Sequence, residues 1–203
     1  GEVLGMAFFK SLVKEHGKQF FEPIGKALLD KGLDPKSFNP LNPRHGWALR
    51  KELGAYAKWR IKQSFTGRDR QTVPGMDARL QGHVNFALAA FSQLRAEISG
   101  TMVKHQVKIA DRQCRMAELS QRVQDTVTIL VTAMAAHQRK NETTTMAADI
   151  LCQDLERKLT GRRPEDAYYK QLAQLADAVT KGKFEEIADV PRDEIMMKYE
   201  KKA

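Results

Sequence analysis

The chain has 203 residues, of which 42% are hydrophobic and 7% aromatic, and its 34 basic and 25 acidic residues give a net charge of +9. An apolar fraction of this size can form a buried core, and the few aromatic residues favour helix over sheet. Two cysteines, both inside helical patterns, argue against a disulfide scaffold and for an intracellular chain with packed, free thiols. The positive charge points to an anionic partner: nucleic acid, a phospholipid surface or an acidic protein.

The first 32 residues predict two helices. Residues 3–13 form an apolar run with no cap before it. Because a natural N-terminus is usually polar and frayed, we expect the sequence to be part of a longer chain. Pro23 predicts the start of a second short helix, residues 24–31, which Gly32 ends.

Residues 33–76 are interpreted as a linker that carries a basic amphipathic segment. Residues 33–46 contain three prolines and predict an extended stretch, and residues 67–75 predict a polar loop. Between them, residues 47–65 predict a helix. Turned at about 100° per residue, its apolar side chains Leu49, Leu53, Tyr56 and Trp59 share one arc, and Lys51, Lys58 and Lys62 share the opposite arc.

Aromatic residues on one side of a helix and lysines on the other are typical of a helix that lies in a membrane interface. The alternative is a short helix docked on its own bundle, with its lysines merely solvated. We predict that this segment contacts an anionic membrane surface or a protein partner through Trp47, Leu49, Lys51, Leu53, Tyr56, Lys58, Trp59 and Lys62.

Residues 77–203 predict an antiparallel helical bundle. One apolar face runs from residue 80 to residue 98, and Gly100 is expected to kink or interrupt the passage into a central helix, residues 102–137. Within that helix, residues 127–136 are apolar nearly all round and predict the centre of the core, with Leu130 buried. Such a run is too short to cross a bilayer, which needs about 20 apolar residues.

Three further helices are predicted after the central one. They cover residues 143–159, residues 164–182 and residues 192–202, with Gly161 and Gly182 ending the first two. Tyr168 and Leu172 are expected to share the docking face of the second. The fold class is therefore all-α: a bundle with an N-terminal apolar helix and a basic amphipathic arm.

The sequence contains no catalytic or metal-binding constellation that we recognise. Its histidines have neither metal-ligand spacing nor a carboxylate pair on the same face, so each is interpreted as a surface or core-edge residue: His16, His45, His83, His105 and His137. No Gly-rich phosphate loop and no nucleophile motif are present. We therefore predict no catalytic residue, no metal and no cofactor in this chain.

The central stretch adds a family resemblance. Residues 102–120, Asp125 and residues 131–134 resemble the helical domain appended to long-chain acyl-CoA dehydrogenases, in particular the mitochondrial very-long-chain type and its bacterial relatives. The chain departs from that pattern at residues 126–128 and 135–137. The resemblance covers most of the chain through loosely spaced motifs.

Two further stretches are similar to the same family. Asp149 and Cys152 match an acidic-x-x-Cys step in the next helix of that domain, and residues 39–65 resemble its Asn-Pro linker followed by a basic amphipathic segment. Residues 1–4 resemble the tail of the family's catalytic-glutamate motif. Glu2 matches the later, non-catalytic acidic position, because the catalytic base is followed by Gly and Glu2 is followed by Val.

The resemblance implies a non-catalytic C-terminal part of a FAD-dependent enzyme of fatty acid β-oxidation, with the base and the FAD site before residue 1. It also implies two partners, the rest of its own enzyme and a homodimer mate. The implied location is the matrix side of the mitochondrial inner membrane, or the bacterial cytoplasm or inner-membrane face. An alternative is a protein-binding module of the same family, for example in respiratory-complex assembly. A nucleic-acid binder is the least favoured hypothesis, because the cations are spread over linker and helix ends.

Overall fold

The computed structural model describes residues 7, 10–11, 13–33, 42–66, 70–105 and 112–187. These residues contain helices and no strand, which confirms the all-α class. A π-helical segment, Gly17–Phe21, leads into the first of seven α-helices in this part of the chain, and a short 3-10 helix, Glu185–Ile187, follows the last. The α-helices are α1 (Glu22–Asp30), α2 (Pro43–Ala48), α3 (Arg50–Thr66), α4 (Ala78–His105), α5 (Gln113–Arg139), α6 (Glu142–Thr160) and α7 (Asp166–Thr180).

Helices α4, α5 and α6 form the core. Leu80 and Val84, near the start of α4, pack with Ala133 near the end of α5. Met102, at the other end of α4, packs with Met116 near the start of α5, so the two helices are antiparallel. Helix α6 completes the core because Cys152 packs between Ala87 of α4 and Ile129 of α5.

The predicted central helix is two helices. Helix α4 continues through Gly100 to His105, and α5 begins at Gln113 after Arg112, whose backbone (φ −104°, ψ 49°) is not helical. The prediction of one helix over residues 102–137 is therefore wrong, as is the interruption at Gly100. The apolar spacing continues across the break because the end of α4 and the start of α5 face each other and bury their stripes together.

Capping residues fix the ends of α5 and α6, and the predicted end of α6 at Gly161 is confirmed. Lys140 ends α5 in the left-handed conformation, φ 53°, and the Asn141 side chain then caps α6 by accepting hydrogen bonds from the backbone N–H of Thr143 and Thr144. Gly161 ends α6 at φ 72°, a conformation that glycine adopts without steric cost. The predicted helix over residues 192–202 lies outside the described residues.

The predicted linker over residues 33–46 is wrong at its end, where α2 begins at Pro43. Asn42 accepts a hydrogen bond from the backbone N–H of Arg44, and proline suits the first helical turn because that position needs no N–H donor. The Asn-Pro step is thus a helix start. The apolar run over residues 3–13 lies mostly outside the described residues.

Five side chains in the bundle are more exposed than predicted. Residues 127–136 are not surrounded by other helices, because Ile129 and Ala133 are buried while Val127 is 40% and Val131 59% exposed. Leu130 is half-buried rather than central. On α7, Tyr168 is buried and donates a hydrogen bond to Asp154, but Leu172 is exposed. Cys152 is buried as expected, whereas Cys114 is an exposed thiol.

Burial predicts how mutations along α5 rank. Leu119 has no exposed surface, so Leu119→Ala should lower the free energy of unfolding by roughly 2–5 kcal/mol, and Leu130→Ala by less. Val131→Ala is the matched surface control and should change it by no more than about 0.5 kcal/mol. Urea denaturation measures all three. A cost for Leu130→Ala equal to that of Leu119→Ala would contradict this assignment of the core.

Candidate functional site

The predicted contact segment divides into two sets of side chains. The inward set faces the rest of the molecule and ranges from half-buried to fully buried: Leu49, Leu53, Tyr56 and Trp59. The outward set is exposed to solvent: Trp47, Lys51, Lys58 and Lys62. The predicted arcs of α3 are thus present, but Trp47 precedes the helix break at Leu49 and points away from the apolar arc.

The inward set anchors α3 in an aromatic cluster. The Trp59 ring lies 4.9 Å, centroid to centroid, from both His16 and Phe20. The Tyr56 ring lies 5.7 Å from Phe21. The Arg60 guanidinium donates to the carbonyl oxygen of Ala96 on α4 at 2.7 Å. The inward face of α3 is therefore docked on its own bundle, as the alternative interpretation predicts.

A polar group joins this cluster to α4. Ser99 is fully buried, and its Oγ lies 2.8 Å from the Tyr56 hydroxyl and 3.1 Å from His16 Nε2. Burial, and secondarily the charge of Arg95, lowers the pKa of His16 below its ordinary value, so the imidazole is neutral at pH 7. A neutral imidazole can accept the serine proton while the serine oxygen accepts the tyrosine proton.

The Ser99–His16 pair does not have the geometry of a nucleophile and its base. A serine nucleophile must be reachable by its substrate, and the base is normally oriented by a third group such as a carboxylate. Ser99 has no exposed surface, and the described residues place no carboxylate against the His16 ring. We therefore interpret the pair as the contact that holds the N-terminal segment and α3 on α4.

The outward set has an exposed aromatic at one end. Trp47 is 72% exposed, and the guanidinium of Arg50 lies 4.5 Å from its ring centroid. Ile61, next to Lys62, is 60% exposed. An exposed tryptophan, an exposed isoleucine and three lysines on one segment can contact an interface that is apolar on one side and anionic on the other.

A second cluster lies between α4, α6 and α7. His83 is 6% exposed, its Nε2 lies 2.7 Å from Asp149 Oδ1, and its Nδ1 lies 2.6 Å from Glu156 Oε1. Gln171 of α7 donates to the other Asp149 oxygen at 2.5 Å. The cluster therefore connects three helices through one histidine and one aspartate.

The two carboxylates keep His83 charged. Burial opposes the imidazolium, but the hydrogen bonds that it donates to Asp149 and Glu156 outweigh burial and raise the pKa of His83 to about 9. Burial likewise opposes the Asp149 carboxylate, and hydrogen bonds from His83 and Gln171 still hold the pKa of Asp149 below its ordinary value. The pair is thus ionised at neutral pH, and a histidine that is already protonated cannot act as a general base there.

The cluster does not resemble a metal site either. Metal ligands converge on one point, whereas His83 lies between its two carboxylates and uses both ring nitrogens on them. No group of three or more histidine, cysteine or acidic side chains in the described ranges could hold a metal ion. The arrangement is that of an electrostatic link between helices.

This cluster was not predicted from the sequence. The interpretation of His83 as a surface or core-edge residue without a carboxylate pair is wrong, because Asp149 and Glu156 lie seven residues apart on one face of α6 and reach His83 from there. That spacing, together with a histidine at the edge of the apolar face of α4, was the available signal. The His83 cluster also accounts for the acidic-x-x-Cys step, because Asp149 binds His83 and the Cys152 thiol packs in the core.

The chain matches no protein-family model, no curated protein and no solved structure. The resemblance to acyl-CoA dehydrogenases therefore depends on the residues quoted for it. Among the helices that the structure describes, none is long and apolar enough to cross a membrane.

The His83 link should make stability depend on pH. The folded-state pKa of about 9 is above the ordinary value of 6.5, so the contribution of His83 is complete below about pH 6.5 and is lost as the pH rises through about 9. His83→Leu leaves Asp149 buried without its cation and should cost roughly 3–5 kcal/mol at neutral pH. The cost should shrink at alkaline pH, as measured by urea denaturation across the pH range.

His137→Leu, at a half-buried histidine of α5, is the control for loss of an imidazole. It should show neither the large cost nor its decline at alkaline pH. A His83→Leu cost that stays constant through pH 9 would show that the histidine contributes by packing rather than by charge.

Proposed function

We propose that this chain is a non-catalytic helical part of a FAD-dependent long-chain acyl-CoA dehydrogenase, and that its outward set holds it against an anionic membrane surface. The membrane contact is inferred from the way the side chains of α2 and α3 divide into an inward and an outward set. Tyr56 and Trp59 are used inside the molecule, while Trp47 is 72% exposed beside Arg50 and the lysines of α3. The family assignment is supported by the resemblance of residues 102–120 and 149–152.

The energetics favour weak and reversible association. A basic residue near an anionic bilayer contributes about 1 kcal/mol, screened within a Debye length of about 8 Å in physiological salt. The lysines of the outward set thus supply a few kcal/mol, which salt removes. Trp47 and Ile61 add an apolar contribution that salt does not remove, because both are largely exposed in the unbound chain.

We assign no flavin site to the described residues. A flavin pyrophosphate is usually held by backbone N–H groups of a Gly-rich turn at a helix start, and the isoalloxazine ring needs an enclosed slot. Two grooves between described residues, about 750 and 770 Å³, are open to solvent and are lined by side chains of α4 and its neighbours. No step of dehydrogenation is therefore assigned to residues of this chain, and FAD belongs to the proposed parent enzyme.

A protein partner in place of the membrane is the second candidate. Tryptophan and arginine are the residues that most often dominate protein–protein binding, and Trp47 stacked with Arg50 offers both on one exposed spot. In this case the chain would be an assembly module of the same family, and apolar and cationic contacts would both be needed at every salt concentration.

Vesicle co-sedimentation should distinguish the apolar contribution of the outward set from its charged contribution. The chain should bind vesicles of mixed phosphatidylserine and phosphatidylcholine and bind pure phosphatidylcholine much less. Trp47→Ala should weaken binding at all salt concentrations without lowering the melting temperature, because Trp47 is exposed. Lys51→Glu with Lys58→Glu should abolish binding mainly at low salt, because it reverses only the screened contribution.

Trp59→Ala is the matched control, since Trp59 packs against His16 and Phe20. It should lower the melting temperature and leave vesicle binding by the folded fraction unchanged. Equal vesicle binding by the parent chain and by Trp47→Ala with both lysine reversals would reject the membrane contact and favour the protein partner.

The purified chain should carry no stoichiometric flavin. Its absorption spectrum should lack the visible flavin bands, and palmitoyl-CoA should not reduce an electron acceptor in its presence. A yellow protein with bound FAD would refute the assignment as a non-catalytic part. Palmitoyl-CoA oxidation with FAD is expected only of the longer parent enzyme.

A further inference from the structure

A groove rich in positive charge lies where α3, α4 and α5 meet. It has a volume of about 620 Å³, and its lining includes cationic side chains from all three helices: Arg60 of α3, Lys104 of α4, and Arg112 and Arg115 at the start of α5. Among the described residues that line it, the only carboxylate is Glu97 of α4. We refer to this site as the basic groove.

Glu97 does not balance the charge of the basic groove, because arginines of α5 already bind it. Its Oε1 accepts a hydrogen bond from Arg115, and its Oε2 accepts one from Arg122 at 2.8 Å. Lys104 and Arg112 are exposed, and neither forms an ion pair with a carboxylate in the part of the chain that the structure describes. The groove therefore keeps an excess of positive charge.

Helix dipoles explain only part of this excess. A cation is favourable at the C-terminal end of a helix, which accounts for Lys104 in the last turn of α4. The same dipole disfavours cations at a helix start, where Arg112 and Arg115 lie. Arg115 is compensated there by Glu118, to which it donates at 2.6 Å, as well as by Glu97. Arg112 has no such compensation from a described carboxylate, so its position calls for another explanation.

Arg60 forms a fixed wall of the basic groove. Its guanidinium donates to the carbonyl oxygen of Ala96 at 2.7 Å. The guanidinium also lies beside Gly100, where a Cβ would be 3.9 Å from Arg60 Nη2. Because Gly100 has no side chain, it lines the groove without filling it. Arg60 and Arg115 are thus held in place by protein acceptors, and the two exposed cations lie in the same groove.

Fixed guanidinium groups around a recess suit a phosphate group. The planar fork of arginine binds phosphate oxygens in pairs, and a phosphate presents several charged oxygens that accept from several cations at once. The core of a protein–protein interface, by contrast, is depleted of charged residues. The volume of the groove is within the usual range for a small organic ligand, about 300–1,000 Å³. Charge and shape therefore favour a phosphate compound over a docking surface for the rest of a longer chain.

We infer that the basic groove binds a phosphate group on a compound with more than one negative charge. The inference goes beyond the proposed function, because Trp47 and the lysines of the outward set do not line this groove. The same chemistry is present in a lipid headgroup and in a free phosphate compound. The experiments below distinguish these two sources.

Calorimetric titration with inorganic pyrophosphate tests the site. The chain should bind pyrophosphate in physiological salt, and Lys104→Gln with Arg112→Gln should weaken binding at least about tenfold. Arg163→Gln with Lys170→Gln removes the same two charges from exposed positions outside the groove and should leave the affinity within about twofold. Citrate, whose negative charges are all carboxylates, should bind much more weakly than pyrophosphate.

A variant that fills the groove without changing its charge provides a second test. Gly100→Leu keeps every cation but places a side chain in the groove, so it should weaken pyrophosphate binding at least about tenfold. Gly82→Leu, at an exposed glycine of the same helix, is the matched control and should leave binding unchanged. Thermal melting should show both variants folded at the temperature of the assay, because leucine favours a helix more than glycine does.

Vesicles identify the source of the phosphate group. Phosphatidic acid exposes a phosphomonoester, whereas phosphatidylserine does not. Tighter binding to phosphatidic acid than to phosphatidylserine, each mixed with phosphatidylcholine at equal surface charge, would assign the groove to a lipid headgroup if Lys104→Gln with Arg112→Gln removes the preference. Pyrophosphate binding without that preference would assign the groove to a free phosphate compound.

Trp47→Ala separates this inference from the proposed membrane contact. It should weaken binding to both kinds of vesicle and leave pyrophosphate binding unchanged, because Trp47 does not line the groove. Three results would overturn the inference: no pyrophosphate binding in physiological salt, equal losses in the two double variants, or equal affinity for citrate and pyrophosphate. The second would show an effect of net charge alone, and the third would show a site without preference for phosphate.

Discussion

The rest of the structure depends on the burial of α4 on several sides at once. Its 28 residues pack along α5 through apolar side chains, and two polar links fix what lies on its other sides. Near its start, His83 binds Asp149 and Glu156 of α6, and near its end, Ser99 binds Tyr56 and His16. The links are 16 residues apart, about 24 Å along the helix, so α6 and α3 are attached at opposite ends.

These two links differ in their physical character. The His83 link is ionic and buried, and an ionic link of this kind contributes only while both partners are charged, because either partner alone would be a desolvated charge. The Ser99 link is neutral and lies within an aromatic cluster, where burial disfavours a charged His16. The arm of α3 and the bundle therefore respond to pH through different groups.

The bundle helices could be predicted from the sequence because each carries an apolar face with a period near 3.6. Gly161 located the end of α6 correctly, whereas the Asn141 cap at its start was not predicted. The reversal between α4 and α5 could not be predicted in the same way. Residues 102–137 contain neither glycine nor proline, and the stripe keeps its spacing on both sides of Arg112 because both ends face the same cluster.

The candidate sites were less predictable, since they depend on contacts between distant residues. His83 and Asp149 are 66 positions apart, and neither residue alone indicates the link. For the contact segment, the arcs of α3 were predicted, but the sequence did not distinguish Trp47 from Trp59. Trp47 precedes the helix break at Leu49 and is exposed. Trp59 packs against His16 and Phe20, which are about 40 residues earlier in the sequence.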